Sequence, residues 1–185
     1  RGIIDATDLP THARRTVLVG GNDIKMEGVI IRNSSEWTVQ VDNANRVTID
    51  NIKLLGHRAN SDGIDICASN DVLVENCFIR TLDDLIVVKT LKNSQGGASR
   101  IVARKCVLWN EVAHALNVGA EITQKVEDVL FEDCDIIHDH CREWSLRVYQ
   151  TDSGLVKNVR FENIRIEQAV KFASLWINEA FWTSD

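Results

Sequence analysis

One ten-residue pattern recurs six times in this chain of 185 residues, and it constrains the fold more than any other sequence feature. In each copy the third, fifth, eighth and tenth residues are apolar, so period-two alternation is interrupted once and then resumes. This spacing predicts two short strands joined by a bend. Successive copies begin 23–30 residues apart, at Asn22, Asn45, Asn70, Ser99, Glu127 and Lys157. A repeat of this length indicates a solenoid.

A third short strand follows each copy, starting at Trp37, Asp62, Asp84, Ala115, Ser145 and Ser174. Each period then contains about three strands and no helical pattern, so neighbouring coils would hydrogen-bond to one another about 4.8 Å apart. We therefore predict an all-β fold, a single-stranded parallel β-helix of about six to seven coils. We expect residues 1–185 to form a single domain that is a fragment of a longer chain, because the sequence begins at Arg1 and not at Met.

Composition and charge restrict the partners of this chain. The net charge is −6 and no long basic run is present, so nucleic acid is not an expected partner. No apolar stretch is long enough to span a bilayer, so a membrane is not expected either. A β-helix without capping helices leaves open strand edges at both ends, and these could join copies into a homo-oligomer.

The five cysteines do not form a closed disulfide set, because their number is odd. Cys77, Cys106 and Cys134 all occupy the eighth position of their copies, where stacked coils would align them. We predict a buried row of free thiols there instead of a metal site, since free cysteine packs as a small apolar residue. No role is assigned to Cys67 or Cys141.

The third strands can be aligned on apolar pairs that point into the core: Val39/Val41, Ile64/Ile66, Leu85/Val87, Leu116/Val118, Leu146/Val148 and Leu175/Ile177. Two columns of outward residues result. The column before the strand contains Trp37, Asp62, Asp83, His114 and Trp144, and the column at mid-strand contains Gln40, Asp65, Ile86, Asn117, Arg147 and Trp176. Asp84 is expected beside Asp83, level with Gly63 and Ala115.

This alignment places several carboxylates on one face, where their like charges repel each other. Such an arrangement does not stabilise a purely structural protein. Such crowding raises the pKa of one carboxyl while another stays ionised, which yields a proton donor and a base. An acid and a base roughly 6.5–9.5 Å apart leave room for a water, as in inverting glycosidases. Trp37, Trp144 and Trp176 would offer apolar faces to sugar rings.

Two motifs one coil apart resemble the signature of the polygalacturonase-type glycoside hydrolases (family 28). They are Asn60-Ser61-Asp62-Gly63 and Asp83-Asp84, and the likeness extends from about residue 35 to about residue 180. These enzymes are right-handed parallel β-helices of the pectin-lyase-like type, so the resemblance implies that fold. More loosely, the chain is similar to the dextranase and isopullulanase group (family 49), which cleaves neutral glucans with a comparable trio of aspartates.

The resemblance implies an inverting, metal-independent acid/base hydrolysis that needs no cofactor. Asp83 would be the general acid, and Asp62 and Asp84 would hold and deprotonate the attacking water. His114 would assist them, and Arg147 would bind the substrate. Further substrate contacts are expected from Asn60, Asp65, Lys89, Asn117 and Tyr149.

Two positions depart from the family pattern. His114 is flanked by Ala113 and Ala115, where the family has glycines. Tyr149 stands where the family has a lysine that helps to bind a uronate carboxylate. The expected substrate is therefore either a pectin-like or polygalacturonate-like polymer or a neutral glucan.

Two other functions fit the same residues. In a polysaccharide lyase, the acidic cluster would bind Ca²⁺ and Arg147 would abstract a proton. In a non-catalytic β-helix, the same face would bind a glycan without cutting it. A polysaccharide is the expected partner in every case. Because polymers of this size are met outside the cytoplasm, we expect a secreted or periplasmic protein.

Overall fold

The computed structural model describes residues 2–140 and 142–177, and this part of the chain contains β-strands and no helix. Accordingly, no helix that could cross a membrane is present among these residues. The eighteen strands are β1 (Gly2–Asp5), β2 (Val17–Glu27), β3 (Val29–Arg32), β4 (Val39–Asp50), β5 (Lys53–Leu55), β6 (Ile64–Cys67), β7 (Asn70–Glu75), β8 (Phe78–Thr81), β9 (Ile86–Thr90), β10 (Ala98–Arg104), β11 (Val107–Asn110), β12 (Leu116–Ile122), β13 (Val126–Glu132), β14 (Asp135–Ile137), β15 (Leu146–Gln150), β16 (Val156–Glu162), β17 (Arg165–Ile166) and β18 (Ala173–Ile177).

The strands form a β-solenoid of about six coils, in which each strand pairs in parallel with its counterpart in the next coil. We name three faces. The front face consists of the start of β2 and β4 followed by β6, β9, β12, β15 and β18; the base face of the rest of β2 and β4 followed by β7, β10, β13 and β16; and the side face of β1, β3, β5, β8, β11, β14 and β17. The starts of the six repeats pair in register, as predicted, from Asn22 through to Lys157.

The predicted apolar positions line the interior between the three faces. Ile49, Val74 and Phe131, all at the fifth position, are fully buried. Burying an aliphatic or aromatic side chain of this size contributes roughly 1.5–3 kcal/mol. The predicted thiol row is also confirmed, because Cys77, Cys106 and Cys134 are free and buried. Cys67 is likewise free and buried, and Cys141 lies outside the described residues.

The predicted bend between the first two strands of each repeat is a left-handed residue. The seventh residues have φ between 49° and 67° and are Gly28, Asn51, Asn76, Lys105, Asp133 and Asn163. Glycine, asparagine and aspartate tolerate this conformation best, which explains why they occupy most of these positions. The bend also links coils, since the Asn76 amide donates a hydrogen bond to Asp50 Oδ1 (2.9 Å).

Both ends of the described solenoid present strand edges that have no partner strand among the described residues. Apolar side chains are exposed there, including Ile3 and Leu18 at one end and Leu155, Phe172 and Leu175 at the other. Association of copies through these ends stays a prediction.

Candidate active site

A cleft of about 640 Å³ runs along the front face. The predicted site residues that line it are Asn60, Asp62, Asp83, Asp84, Lys89, His114, Asn117, Arg147 and Tyr149, together with Trp37, Trp144 and Trp176. The remaining predicted residue, Asp65, is fully buried and does not line the cleft. The prediction that Asp65 contacts a sugar is therefore not supported by the structure.

The predicted alignment of the third coil is wrong by one residue. Ile64 pairs with Ile86, which in turn pairs with Leu116, so Ile86 and Val88 occupy the positions predicted for Leu85 and Val87. Asp84, and not Asp83, is consequently level with Asp62 and His114. The reason is that residues 85–88 are all apolar, so alternation does not say which of them face the core.

The predicted alignment of the last coil is wrong by two residues. Leu146 pairs with Ala173 and Val148 with Leu175, so Ser174 takes the mid-strand position predicted for Trp176. Trp176 instead pairs with Tyr149, whose ring lies 5.7 Å from it in an edge-to-face arrangement. A shift of two residues keeps the same side chains on the same face, so the apolar pattern does not detect it.

Gly63 allows the coils that carry the aspartates to approach each other closely. A Cβ atom at this position would lie 2.3 Å from the Leu85 carbonyl oxygen and 2.8 Å from Ile79 Cγ2. The Gly63 N–H donates to the carbonyl oxygen of Asp84 (2.7 Å), which places Asp62 beside Asp84. Glycine is thus required here by the neighbouring coil and not by a turn.

The three aspartates converge at the floor of the cleft. One oxygen atom from each of Asp62, Asp83 and Asp84 lies within 4.8 Å of the other two. This separation is shorter than the roughly 6.5–9.5 Å expected from the sequence for an acid and a base that hold a water between them. Two hydrogen bonds of roughly 2.8 Å can still span the gap, so one water fits between the carboxylates. Asp62 is buried, and its Oδ1 has no hydrogen-bond partner among the described residues.

Asp84 is held in the ionised form by hydrogen bonds. Its Oδ1 accepts from His114 Nδ1 (2.6 Å) and from the His114 backbone N–H (3.2 Å), and its Oδ2 accepts from the Asn117 amide (3.0 Å). Burial opposes ionisation, but His114, Lys89 and Asn117 together lower the pKa of Asp84 below its ordinary value. Asn117, predicted to contact sugar, is engaged with this carboxylate and with the Gly119 carbonyl (2.9 Å).

Asp83 has the opposite shift. Burial and the neighbouring charge of Asp84 raise the pKa of the Asp83 carboxyl. One oxygen of Asp83 accepts a hydrogen bond from the Asp84 backbone N–H (3.0 Å). Adjacent residues thus form a pair in which one carboxyl retains its proton more readily and the other loses it more readily.

Lys89 lies beneath the trio, with its ammonium among three acids. Its Nζ is 3.0 Å from Asp65, 3.4 Å from Asp62 and 3.9 Å from Glu121. Burial opposes its charge, but these carboxylates raise the pKa of Lys89 well above its ordinary value. Burial, partly offset by Lys89, raises the pKa of Asp65 to about 7, and burial together with the Asp65 charge raises that of Asp62.

Arg147 reaches the trio through His114. Its Nη1 donates to His114 Nε2 (2.9 Å), so the proton of the imidazole is on Nδ1 and is donated to Asp84. Burial lowers the pKa of Arg147, and its guanidinium stacks over the Tyr149 ring at 3.9 Å. A chain of contacts therefore links Tyr149, Arg147, His114 and Asp84.

Comparison with known proteins places the chain in a family. The sequence profile described as glycosyl hydrolases family 28 matches residues 7–183. The chain belongs to this family. A probable polygalacturonase of Arabidopsis thaliana is 26% identical over 151 residues, which are 78% of this chain and 32% of the relative. A polygalacturonase of Juniperus ashei is 27% identical over 167 residues, 87% of this chain and 31% of the relative. The chain thus spans about a third of the length of the curated relatives it matches.

Solved structures support the same fold for this family 28 chain. The exopolygalacturonase of Thermotoga maritima superposes with a TM-score of 0.62 at 24% identity, covering 83% of this chain and 40% of that one. The endo-xylogalacturonan hydrolase of Aspergillus tubingensis superposes with a TM-score of 0.64 at 17% identity, covering 91% and 46%.

Three acids of this family 28 cleft, Glu36, Glu121 and Glu143, were not predicted from the sequence. Glu121 lies within a shift in strand register between Val118 and Ile122, and periodicity cannot predict the direction of a side chain inside such an irregularity. Glu36 and Glu143 lie in the loops directly before Trp37 and Trp144, where no alternation exists. The excess of acidic residues near the predicted front-face positions was the sequence signal that could have indicated them.

Proposed function

We propose that this chain carries the catalytic centre of an inverting glycoside hydrolase that cleaves a pectin-type polysaccharide. The observation that carries the proposal is the convergence of Asp62, Asp83 and Asp84 in one cleft, where the pKa values of Asp83 and Asp84 are shifted in opposite directions. An acid and a base are both needed to break a glycosidic bond at moderate pH. The names of the matched relatives, which are polygalacturonases, support the choice of polymer.

Asp83 acts as the general acid in this proposal. It is partly exposed to the cleft, and its raised pKa keeps a proton available for the oxygen of the leaving sugar. As the bond between the anomeric carbon and this oxygen breaks, the proton of Asp83 moves to the oxygen, and the Asp83 carboxylate forms.

Asp84 acts as the general base on a water held with Asp62. The ionised Asp84 takes a proton from the water while the water oxygen bonds to the anomeric carbon from the side opposite the leaving group. The configuration at that carbon is thereby inverted. Asp62, whose pKa is raised, accepts or donates a hydrogen bond that positions the water.

The surrounding residues position these groups and the substrate. His114 and Asn117 orient Asp84. Lys89 offsets the negative charges of Asp62 and Asp65. Arg147 and Asn60 are the proposed substrate contacts, and Trp176, which is partly exposed, offers an apolar face to a sugar ring. An enzyme that meets polymeric substrate is expected to be secreted or periplasmic.

The test compares reducing-end release from pectic polymers by the wild type, Asp83→Asn and Asp71→Asn. Losing the general acid should lower kcat by roughly 10²–10⁴-fold. Asp71 is an exposed residue on the base face, so its variant controls for the loss of one carboxylate. Product anomers observed by NMR should be inverted. Unchanged turnover by Asp83→Asn would favour a glycan-binding protein and refute the proposal.

A calcium-dependent lyase is the second candidate, because the same three carboxylates lie close enough together to bind a metal ion. The unpartnered Oδ1 of Asp62 and the lowered pKa of Arg147, the candidate base, favour this alternative. A lyase would lose activity in a chelator and release unsaturated products that absorb in the ultraviolet. A hydrolase would keep its activity in the chelator and release saturated products.

A further inference from the structure

The positive charges of the cleft are almost all neutralised by its own acids. The cations that line the cleft within the described residues are Lys89, Arg142 and Arg147. Lys89 is buried and shared by Asp62, Asp65 and Glu121. Little positive charge is therefore left at this end of the cleft for an anionic ligand.

The other arginines in and beside the cleft also lie close to acids. Arg142 lies 3.8 Å from the carboxylate of Glu143, which also lines the cleft. Arg15, which lies beside the cleft, faces Glu36 at 3.9 Å and stacks on Trp37. Within the described residues, Arg147 is the single cation of the lining that forms no salt bridge.

A fully ionised galacturonan carries one carboxylate on every sugar. Bound in this cleft, it would bring several anions beside Asp84, Glu121 and Glu143, with one cation left to receive them. Repulsion between like charges is strong where water is excluded and is weakened by salt. The net charge of −6 adds long-range repulsion of a polyanion.

Building on the proposed hydrolase function, we propose that this cleft selects sugar polymers in which free carboxylates are sparse. The acids of such a polymer are masked as methyl esters or replaced by neutral sugars. Esterification removes the charge and leaves the ring and hydroxyl groups, which the aromatic side chains of the cleft can still contact. Glu121 and Glu143 are the residues that make the cleft unfavourable for a free uronate chain.

The test measures kcat/KM of the full-length protein on polygalacturonate, on the same polymer after extensive methyl esterification, and on a neutral galactan. We expect kcat/KM at low salt to be about tenfold or more higher on the esterified polymer, the galactan or both than on polygalacturonate. A preference for the esterified polymer would indicate that methyl esters mask the acids, and a preference for the galactan would indicate that neutral sugars replace them. Added NaCl should narrow the difference. Equal or higher kcat/KM on polygalacturonate at low salt would overturn the inference while leaving the proposed hydrolysis intact.

Three variants test the inference further, two by a ratio of kcat/KM values and one by binding without turnover. Glu143→Gln should raise the ratio of kcat/KM on polygalacturonate to that on the esterified polymer several-fold, whereas Glu132→Gln, on the base face, should not change this ratio. If no polymer is hydrolysed, the proposed function fails, and binding decides the inference. In affinity electrophoresis, Asp83→Asn should then be retarded more by the esterified polymer than by polygalacturonate, and the reverse order would refute it.

Discussion

Two columns of charged residues run along this solenoid, and they are built in opposite ways. On the base face, Asp23, Arg46, Asp71 and Arg100 are exposed, and their charges alternate from coil to coil; we call this column the outer charge ladder. Its pairs are bidentate, with nitrogen–oxygen distances of 2.6–2.8 Å. In the cleft of the front face, by contrast, carboxylates of like charge cluster in a buried setting.

The difference separates a structural use of charge from a chemical one. Opposite charges in water stabilise stacked coils only slightly, so the outer charge ladder can be altered with little effect. Like charges away from water destabilise the fold unless they are compensated, and in return their pKa values are shifted. The cleft is consequently the place where single substitutions should have large effects on both stability and chemistry.

The largest effect on stability is expected from Lys89→Met. This change leaves Asp62 and Asp65 buried without their shared cation, and such a loss typically costs about 3–5 kcal/mol. The free energy of unfolding should be measured by urea titration at neutral pH. Arg46→Met, which removes one cation from the outer charge ladder, serves as the matched control and should differ little from the wild type. Equal losses in the two variants would show that burial does not distinguish the two columns.

A smaller effect concerns pH and Asp65, whose pKa is raised from 3.8 to about 7 in the folded protein. Between these values the folded state binds a proton that the unfolded chain has released. The contribution to stability is therefore fully present below about pH 4 and is lost as the pH rises through about 7. From pH 5 to pH 7 this group should reduce the free energy of unfolding by about 2 kcal/mol.

Asp65→Asn isolates that contribution. Urea midpoints of the wild type and of Asp65→Asn should be compared at several pH values, with Asp128→Asn as an exposed control. The variant should show a smaller decrease in stability toward neutral pH, because Asp62 and Asp83, whose pKa values are also raised, remain. The control should retain the full decrease. Identical pH profiles for all three proteins would mean that Asp65 is ionised in the folded state throughout.

The sequence predicts the fold through its repeat. Each copy places apolar residues at four fixed positions, and the pairing of Asn22 with Asn45 and Asn70 follows directly from that spacing. The trio of aspartates was also predictable, because two motifs one coil apart must come together in a parallel solenoid. Both results rest on features that repeat or that lie in adjacent coils.

The parts that could not be predicted depend on contacts that alternation does not encode. The position of Asp84 relative to the neighbouring coils was predicted one residue out. The cause is that residues 85–88, which follow it, are all apolar, so alternation does not show which of them face the core. Asp65 is fully buried and forms an ion pair with Lys89, which comes from the next coil. Neither the distance between such side chains nor their exposure is contained in a one-dimensional pattern.

The smallest expected effect lies in the outer charge ladder itself. Asp71→Arg would place three arginines on successive coils, at a position where Arg46 and Arg100 already adopt the left-handed conformation without difficulty. Repulsion between exposed charges is weak, so at low salt the melting temperature should fall by only about 1–2 °C. Thermal unfolding in about 1 M NaCl, where the screening length is roughly 3 Å, should restore the wild-type value. Asp71→Asn should show little of this salt dependence. If the melting temperature stays lowered in high salt, the alternating charges determine how the coils pack. The outer charge ladder and the cleft would then differ only in how exposed their charges are.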